Sequence, residues 1–177
     1  MMEGMVRVKV LIMSDTHGDR QIIEKVKAYY PNAAAFVHCG DSELLFDADE
    51  LQNFERVKGN CDTDKRFLDE IVFTVGETRF YVTHGHLFNV KSSILPLSYR
   101  AQEVGADIVC FGHSHLLGAE LVGNTLFVNP GSLTAPRGRK EKSFVLLALV
   151  EEGYIVECYD ENNNLLERHL FNLSNDL

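Results

Sequence analysis

Cysteine is scarce in this chain of 177 residues, and its four occurrences are widely spaced, at positions 39, 61, 110 and 158. No two cysteines form a C-x-x-C pair. This spacing excludes the dense disulfide framework of a small secreted scaffold. We therefore expect free thiols and a reducing, cytoplasmic location.

Long apolar runs and linker-like segments are absent as well. The longest early apolar stretch, Val10 to Met13, ends at Ser14 and is far too short for a signal peptide or a membrane span. No segment repeats, and none is rich enough in Pro, Ser or Gly to separate two domains. We expect a single domain over residues 1–177, with a core from about residue 6 to residue 172, and no membrane partner.

Positive charge is in short supply, with 17 Lys and Arg against 26 Asp and Glu and a net charge of −9. Such a surface as a whole repels nucleic acids and anionic membranes, so we expect no nucleic-acid partner. A substrate that carries phosphate would have to be attracted locally, as a bound metal ion would do.

What is present is an alternation of strand and helix patterns in the first half of the chain. Apolar periodicity and turn residues predict a βαβ beginning, then a hairpin, a second helix and another strand. The predicted elements are a strand at 6–13, a helix at 21–30, a strand at 33–38, a strand ending at 57–58, a hairpin of 71–75 with 79–83, a helix at about 92–104 and a strand at 107–111.

The second half is predicted to be mostly strand, at 120–122, 125–128, 143–150, 154–159 and 165–170. A parallel-type half followed by antiparallel strands, with only two or three helices available, favours two mixed β-sheets packed face to face, with helices on part of their outer faces. The predicted fold class is α/β, in the broad sense that includes α+β.

Five times, an apolar strand pattern stops and a residue type that binds metals follows within a few positions. The five segments are Asp15-Thr16-His17, Gly40-Asp41, Gly59-Asn60-Cys61-Asp62, His84-Gly85-His86 and Gly112-His113-Ser114-His115. Strand ends in an α/β sheet line a crevice where ligands bind, so these loops are expected to converge on one site. Six of the seven histidines lie in these loops or directly before one of them.

The donor types in these segments indicate a particular chemistry. Carboxylate, amide and imidazole donors suit Mn²⁺, Fe²⁺, Zn²⁺ or Co²⁺ better than Ca²⁺ or a closed structural zinc site. Glycines before Asp41, Asn60 and His113 let the backbone turn and present the next side chain. A carboxylate that bridges two ions about 3.5–4 Å apart clamps an in-line displacement at phosphorus, and the ions lower the pKa of a bound water. The donor set therefore predicts phosphoester hydrolysis.

Each segment taken alone also has a structural interpretation. Asp41 fits a helix N-cap, and Asn60 with Asp62 fits a turn. His113 and His115 are more specific, since alternate residues of an extended chain point to the same side. The occurrence of all five segments in this order favours the functional interpretation.

Together the five segments resemble the signature of the calcineurin-like metallophosphoesterases, in particular their small, single-domain bacterial and archaeal phosphodiesterase branch. The resemblance covers about residues 8–150 and implies a four-layer αββα sandwich. It assigns one metal ion to Asp15, His17, Asp41 and His115, and a second to Asp41, Asn60, His84 and His113, with Asp41 bridging. The implied cofactors are two divalent ions, Mn²⁺ first, with Fe, Zn, Ni or Co as other occupants.

The resemblance also implies the reaction, which is hydrolysis of a small phosphodiester by attack of metal-bound hydroxide. We expect catalytic roles for Asp41, Asn60 and His84, which the resemblance assigns as ligands, and for His86, which lies in the same loop as His84. One position departs from the pattern, because many members have a histidine after the Gly-Asn pair where this chain has Cys61. A thiol is a poor proton donor, so His38 and His86 become the candidates that supply a proton to the leaving oxygen.

Two other functions stay open. The same fold serves as a non-catalytic or weakly catalytic scaffold for protein partners in the retromer coat, and a phosphomonoesterase of the same superfamily would use the same donors. Every predicted ligand position holds a residue that can bind a metal ion, and this favours an enzyme over a non-catalytic scaffold. The apolar segments 44–46 and 88–99 fit either a pocket wall or the interface of a homo-oligomer.

Two further segments lie in the second half. The residues Asn129-Pro130-Gly131-Ser132 are expected to form a tight turn beside the site. The basic residues Arg137, Arg139 and Lys140 fit contacts with a substrate phosphate or a partner, or an ordinary solvated loop.

Overall fold

The computed structural model describes residues 8–173, so Val6, the predicted start of the first strand, lies outside the described residues. The strands, in chain order, are β1 (Val8–Met13), β2 (Ala35–His38), β3 (Phe54–Arg56), β4 (Glu70–Val75), β5 (Thr78–Thr83), β6 (Ile108–Cys110), β7 (Leu117–Val122), β8 (Thr125–Pro130), β9 (Ser143–Val150), β10 (Gly153–Asp160) and β11 (Leu165–Asn172). The helices within these residues are α1 (Arg20–Tyr29), α2 (Leu95–Val104) and short 3-10 turns at Asp49–Leu51 and His86–Phe88.

The strands form two mixed sheets. One has six strands in the order β11-β10-β9-β1-β2-β3, and the other has five in the order β4-β5-β6-β8-β7. In the first sheet β1, β2 and β3 run parallel, and in the second β5, β6 and β8 do. The carboxyl ends of the parallel strands in each sheet therefore lie at one edge, where ligand sites of such sheets form.

The main core lies between the two sheets. Val10 and Ile12 of β1 belong to the same buried cluster as Phe80 and Val82 of β5. From Val10 onward every side chain of β1 is buried, whichever face it is on. This double coverage accounts for the continuous apolar run at residues 10–13 of β1, which shows no polar alternation.

Helix α1 covers the outer face of the six-stranded sheet. The carboxylate of Asp19 accepts a hydrogen bond from the N–H of Ile22 at 3.1 Å and so caps the first turn. Ile23 and Val26 pack in one cluster with Leu11. The apolar spacing that predicts this helix therefore corresponds to its buried face.

Helix α2 covers the outer face of the five-stranded sheet. Leu97 and Ala101 pack with Tyr81 and Val109, and the helix ends at Gly105, where φ is 66°. The layers run helix, sheet, sheet, helix, so the predicted four-layer αββα sandwich is confirmed. No helix within residues 8–173 has the length and apolar character needed to cross a membrane.

Some predicted boundaries are wrong by a few residues. β7 begins at Leu117 rather than at 120, because Leu117 pairs with Pro130 at the end of β8. α2 begins at Leu95 rather than at about 92, and β3 ends at Arg56 rather than at 57–58. The ends of β7 and β8 are set by their pairing with each other, which the strand propensity of single residues does not predict.

The two apolar segments contribute to the core of the chain itself. Leu44 and Leu97 are buried, whereas Leu45, Leu95 and Tyr99 are exposed. The four cysteines are free, as predicted, and only the one at position 61 is exposed.

Candidate metal centre

The loops after the parallel strands meet at one edge of the sandwich. Oδ1 of Asp15, in the loop after β1, lies 3.1 Å from Nε2 of His115 and 3.8 Å from Nε2 of His84. The same oxygen lies 3.9 Å from Nε2 of His17. Side chains from three of the five predicted segments therefore surround one carboxylate oxygen.

The other two segments join the site through His84. Its Nε2 lies 3.2 Å from Oδ2 of Asp41 and 3.1 Å from Oδ1 of Asn60. Asp15 belongs to two groups whose ligand atoms lie within 4.8 Å of one another, one with His17 and His115 and one with Asp41 and His84. A third such group consists of His17, Glu43 and Cys61. Asp15 is common to the first two groups, whereas the resemblance gives the bridging position to Asp41. The bridging role of Asp41 stays a prediction.

His113 contributes no atom to these groups. Its ring centroid lies 5.2 Å from that of His84 and 6.0 Å from that of His86. His113 and His115 have φ angles of 70° and 60°, so their segment is a turn and not an extended chain. The expectation that both rings point to the same side is therefore wrong, because alternation of side chains requires an extended backbone.

Each of the three rings around Asp15 donates its Nδ1–H to an acceptor outside the cluster. The acceptors are Oε1 of Glu43 for His17, the carbonyl oxygen of Cys39 for His84 and the carbonyl oxygen of Ala135 for His115, each at 2.7 Å. These bonds assign the proton of the neutral ring to Nδ1. Nε2 of each ring then presents a lone pair toward the site, as in histidines that ligate metals.

Asp15 provides the test of whether these residues suit a metal ion. Its Oδ1 is buried and has no hydrogen-bond partner within residues 8–173. When the rings are neutral, one carboxylate oxygen and three imidazole lone pairs converge, which is unfavourable in a buried site unless protons or a cation lie between them. Carboxylate and imidazole are also the ligands that divalent transition metals prefer. The residues therefore fit a divalent metal ion.

Five of the seven predicted ligands adopt the left-handed backbone region that side chains other than glycine rarely occupy. They are Asp15, His17, Asp41, His113 and His115, with φ between 42° and 70°. The N–H of Asp15 donates to the carbonyl of Gly40 at 3.0 Å, and Oγ of Ser132 donates to the carbonyl of Asp15 at 2.7 Å. Strained residues held by their surroundings are characteristic of functional sites. Ser132 supplies one of the restraints, but the prediction of a tight turn at 129–132 is wrong in its first half, because Asn129 and Pro130 belong to the end of β8.

Two glycines are needed for close approach. A Cβ at Gly59 would lie 2.0 Å from Oδ1 of Asp41, and one at Gly112 would lie 2.1 Å from Oγ of Ser14. Of the three glycines predicted to provide sharp turns, Gly40 alone has a positive φ, at 103°. The sequence argument thus identified the right glycines, but for two of them the reason is space.

Asp62 has a structural role that the sequence analysis missed. Its Oδ2 accepts hydrogen bonds from the N–H groups of Asp41 at 2.9 Å and Gly59 at 2.7 Å, and its Oδ1 accepts from Glu43 N–H at 2.8 Å. One buried carboxylate therefore ties the loop after β2 to the loop after β3. The only hint in the sequence is its place in a short polar turn.

The electrostatics of the site favour ionised carboxylates. Burial alone would raise the pKa of Asp15, but contact with His115 and the charge of His84 hold that pKa below its usual value. Burial likewise opposes ionisation of Asp41, but the His84 contact and the Cys61 N–H keep its pKa well below the ordinary range. Both carboxylates are therefore charged near neutral pH and can bind a cation.

The candidate proton donors occupy different environments. His38 donates Nε2–H to Oγ1 of Thr16 at 2.9 Å and accepts from Gly40 N–H at Nδ1, and burial lowers its pKa to about 4. His38 is therefore a structural residue with both nitrogens engaged. Desolvation and the charge of Asp41 raise the pKa of Cys61 to about 11, so its thiol stays protonated.

His86 remains beside the site without a fixed partner. Its ring centroid lies 5.4 Å from that of His84. Its Nδ1 is buried and has no hydrogen-bond partner in the described part of the chain. Desolvation and the charge of His84 lower the pKa of His86. The ring is therefore mainly neutral at pH 7.

The predicted basic cluster divides into residues of different kinds. Arg139 pairs with Glu167 and is structural. Arg137 is exposed, forms no ion pair within residues 8–173, and donates its N–H to the carbonyl of His115 at 3.1 Å. Its guanidinium lies near enough to oppose protonation of His115, whose pKa the Asp15 contact raises. Arg137 therefore places positive charge at the rim of the site.

Known proteins resemble this chain in sequence and in structure. A model of the calcineurin-like phosphoesterase superfamily domain matches residues 8–152. A probable metallophosphoesterase of Bacillus subtilis, YsnB, is 41% identical over 161 residues, or 90% of this chain and 95% of that protein. A phosphodiesterase of Methanocaldococcus jannaschii, MJ0936, is 29% identical over 144 residues, or 70% of this chain and 83% of that protein.

A solved structure of a predicted phosphoesterase has the same fold as this chain. It is that of a conserved protein from Streptococcus pneumoniae, described as a predicted phosphoesterase, and it superposes with a TM-score of 0.91 at 34% sequence identity. The superposition covers 96% of this chain and 99% of that one.

Proposed function

This chain belongs to the calcineurin-like phosphoesterase superfamily, and on that premise we propose that it is a cytoplasmic phosphodiesterase that works with two divalent cations, Mn²⁺ first among them. The observation that carries the proposal is the buried Oδ1 of Asp15, which has no hydrogen-bond partner within residues 8–173 and faces three imidazole nitrogens. The four free cysteines support the reducing compartment.

The residues that would hold the cations are taken from the family resemblance, and the group of Asp15, His17 and His115 supports the first of the two sites. Asp15, His17 and His115 would hold one, and Asp41, Asn60, His84 and His113 the other, with Asp41 shared. Divalent cations bound there would act as Lewis acids on the phosphoryl oxygens and lower the pKa of a coordinated water. The catalytic roles of Asp41, Asn60 and His84 in this proposal are to bind and orient the cations.

The chain itself supplies charge and protons around the substrate. Arg137 attracts and orients a phosphate at the rim of the site, which offsets the net charge of −9 locally. His86 is the proposed donor of a proton to the leaving oxygen, because its Nδ1 has no other partner within residues 8–173. Its lowered pKa means that only a minor fraction is protonated at pH 7, so esters with good leaving groups should react best.

We favour a phosphodiester as the substrate because the site is open enough to accommodate two ester groups on the phosphorus. Asn60 and Cys61 are exposed, and the described chain forms one sandwich with no separate cap over the site. An open site admits a phosphate that carries two ester groups. The name of the M. jannaschii relative, a phosphodiesterase, supports the same choice.

Hydrolysis of bis(p-nitrophenyl) phosphate by the full chain tests the proposal. We expect turnover that depends on added Mn²⁺ and exceeds turnover of p-nitrophenyl phosphate. His115→Ala should lower the rate on the order of 10³-fold, since loss of a cation removes several kcal/mol of transition-state stabilisation. His169→Ala is the matched control, because the ring of His169 contacts Glu167 on β11.

Three outcomes would contradict the proposal. Absence of turnover with Mn²⁺, Co²⁺, Ni²⁺ and Zn²⁺ would overturn the enzyme. Tight metal binding without turnover would instead favour the scaffold for protein partners. Faster hydrolysis of the monoester would favour the phosphomonoesterase.

A further inference from the structure

Glu43 lies behind His17 on the side of the ring away from the cluster. Its Oε1 is 2.7 Å from Nδ1 of His17, whereas Nε2 of that ring faces Oδ1 of Asp15. Because the two nitrogens lie on different edges of the imidazole, a carboxylate at Nδ1 does not occupy the position of a cation bound at Nε2. Ligand atoms of His17, Glu43 and Cys61 also lie within 4.8 Å of one another, but Oε1 of Glu43 is engaged at Nδ1 of His17, on the edge of the ring away from Asp15.

His17 differs from the other two rings in its acceptor. His84 and His115 donate Nδ1–H to main-chain carbonyls, which are neutral. His17 donates to a carboxylate, and a hydrogen bond to a carboxylate is stronger than one to a neutral carbonyl, so it fixes the orientation of the ring more firmly. Of the three rings, His17 alone donates its Nδ1–H to a side chain; the other two donate to the main chain.

The backbone holds Glu43 in this position. Its φ is 56°, and its N–H donates to Oδ1 of Asp62 at 2.8 Å. Oδ2 of Asp62 accepts from the N–H of Asp41. The loop that presents the predicted bridging carboxylate therefore also presents Glu43, and one buried side chain restrains both.

We propose that Glu43 is a positioning residue that orients His17 and raises its affinity for a divalent cation. The inference rests on the proposed metal centre and adds a residue to it. Outer carboxylates that hold a ligating histidine typically contribute about 10–100-fold to metal affinity. The effect should be confined to the cation held by Asp15, His17 and His115.

Isothermal titration of the full chain with Mn²⁺ tests this proposal, on the wild type, Glu43→Ala, Glu43→Gln and Glu55→Gln. Glu43→Ala should weaken one of two binding events about 10–100-fold and leave the other unchanged. Glu43→Gln should fall between, since an amide oxygen still accepts but carries no charge. Glu55→Gln removes the same charge from an exposed position on β3 and should match the wild type.

A second readout needs no metal. Long-range ¹H–¹⁵N spectra report the tautomer of each histidine, and we expect Nδ1–H for His17 in the wild type and a mixture of tautomers in Glu43→Ala. His84 and His115 should keep Nδ1–H in every variant. Because the carboxylate of Glu43 is 39% exposed, its removal is expected to leave the fold intact, and Glu43→Gln keeps the shape.

The outcomes separate this inference from the metal proposal. If the wild type binds two ions and Glu43→Ala binds both with the same affinity and the same His17 tautomer, the role of Glu43 is overturned alone. If the wild type binds no Mn²⁺, the metal centre fails and the role of Glu43 fails with it. Equal weakening in Glu55→Gln would show a general charge effect and also overturn the inference.

Discussion

The two halves of the site differ in how firmly the protein holds them before any cation binds. Around Asp15, Oδ2 accepts hydrogen bonds from Ser14 Oγ at 2.5 Å and from the N–H of His113 at 3.2 Å, and the rings of His17 and His115 are each fixed through Nδ1. Every group on this side is therefore oriented by the fold alone.

The half around Asn60 is less constrained. Asn60 is exposed, and apart from His84 its side chain contacts Cys61 Sγ at 3.6 Å. The ring of His113 shows ring contacts with other histidines but no hydrogen bond within residues 8–173. A preorganised site loses less conformational freedom on binding, so we expect the Asp15 half to bind its cation more tightly than the Asn60 half.

Removal of one carboxylate charge should have the largest effect and should decide which aspartate bridges. Asp15→Asn and Asp41→Asn keep the size of the side chain, and each should lower diester hydrolysis on the order of 10³-fold. If Asp41 bridges, its variant weakens both ions in a Mn²⁺ titration, whereas Asp15→Asn weakens one. The reverse pattern would make Asp15 the shared ligand, as its place in two groups of ligand atoms allows.

A methyl group at Gly59 should disturb the looser half through Asp41. Because a Cβ would lie 2.0 Å from Oδ1 of Asp41, Gly59→Ala should lower the free energy of unfolding by about 1–3 kcal/mol and weaken metal binding. Gly118→Ala on β7, where nothing lies within 4 Å, should change stability by less than about 0.5 kcal/mol. Urea denaturation measures both, and equal effects would contradict the close approach.

Protons should compete with the cation through particular rings. Contact with Asp15 raises the pKa of His115, and the Asp41 contact together with both carboxylate charges outweighs burial to raise that of His84. These rings bind protons at higher pH than usual and must release them to bind metal. Affinity for Mn²⁺ should therefore fall as the pH drops through their raised pKa values.

The expected loss is about tenfold per pH unit for each proton displaced, and calorimetry at pH 8, 7 and 6 measures it. His113 should not contribute, because burial and the charge of His84 lower its pKa to about 4. Affinity that stays constant from pH 8 to pH 6 would contradict the assignment of His84 and His115.

Arg137→Ala should have the smallest effect, because the side chain is exposed and exposed charges contribute about 1 kcal/mol or less. We expect KM for the diester to rise up to about fivefold, with kcat nearly unchanged and the difference disappearing at high salt. Lys140→Ala, also in the basic cluster, is the control. A large fall in kcat would show that Arg137 acts in the chemical step instead.

Sequence reasoning reached the architecture for physical reasons, and for the same reasons it predicted which polar side chains lie together at one edge of the sheets. Buried parallel strands have continuous apolar runs, and β1 and β6 have them; a polar residue that interrupts such a run must lie at a strand end. His17, Asp41 and His84 follow three such ends, so their convergence required no knowledge of the loops.

The contacts between loops could not be predicted in the same way. The carbonyls of Cys39 and Ala135 orient His84 and His115, but every residue has a carbonyl, so the sequence carries no signal for them. Asp62 and Glu43 act across loops that are distant until the chain folds. The left-handed turn at His113 was not predicted either, because the rule of side-chain alternation applies only to an extended backbone.

Anomalous diffraction from a crystal of the full chain soaked in Mn²⁺ shows directly whether the predicted ligands hold two ions. We expect two peaks about 3.5–4 Å apart. One should lie within ligand distance of Nε2 of His17 and His115, and the other within ligand distance of Nε2 of His84 and the side chain of Asn60. Peaks elsewhere on the surface, or no peak beside Asp15, would contradict this expectation.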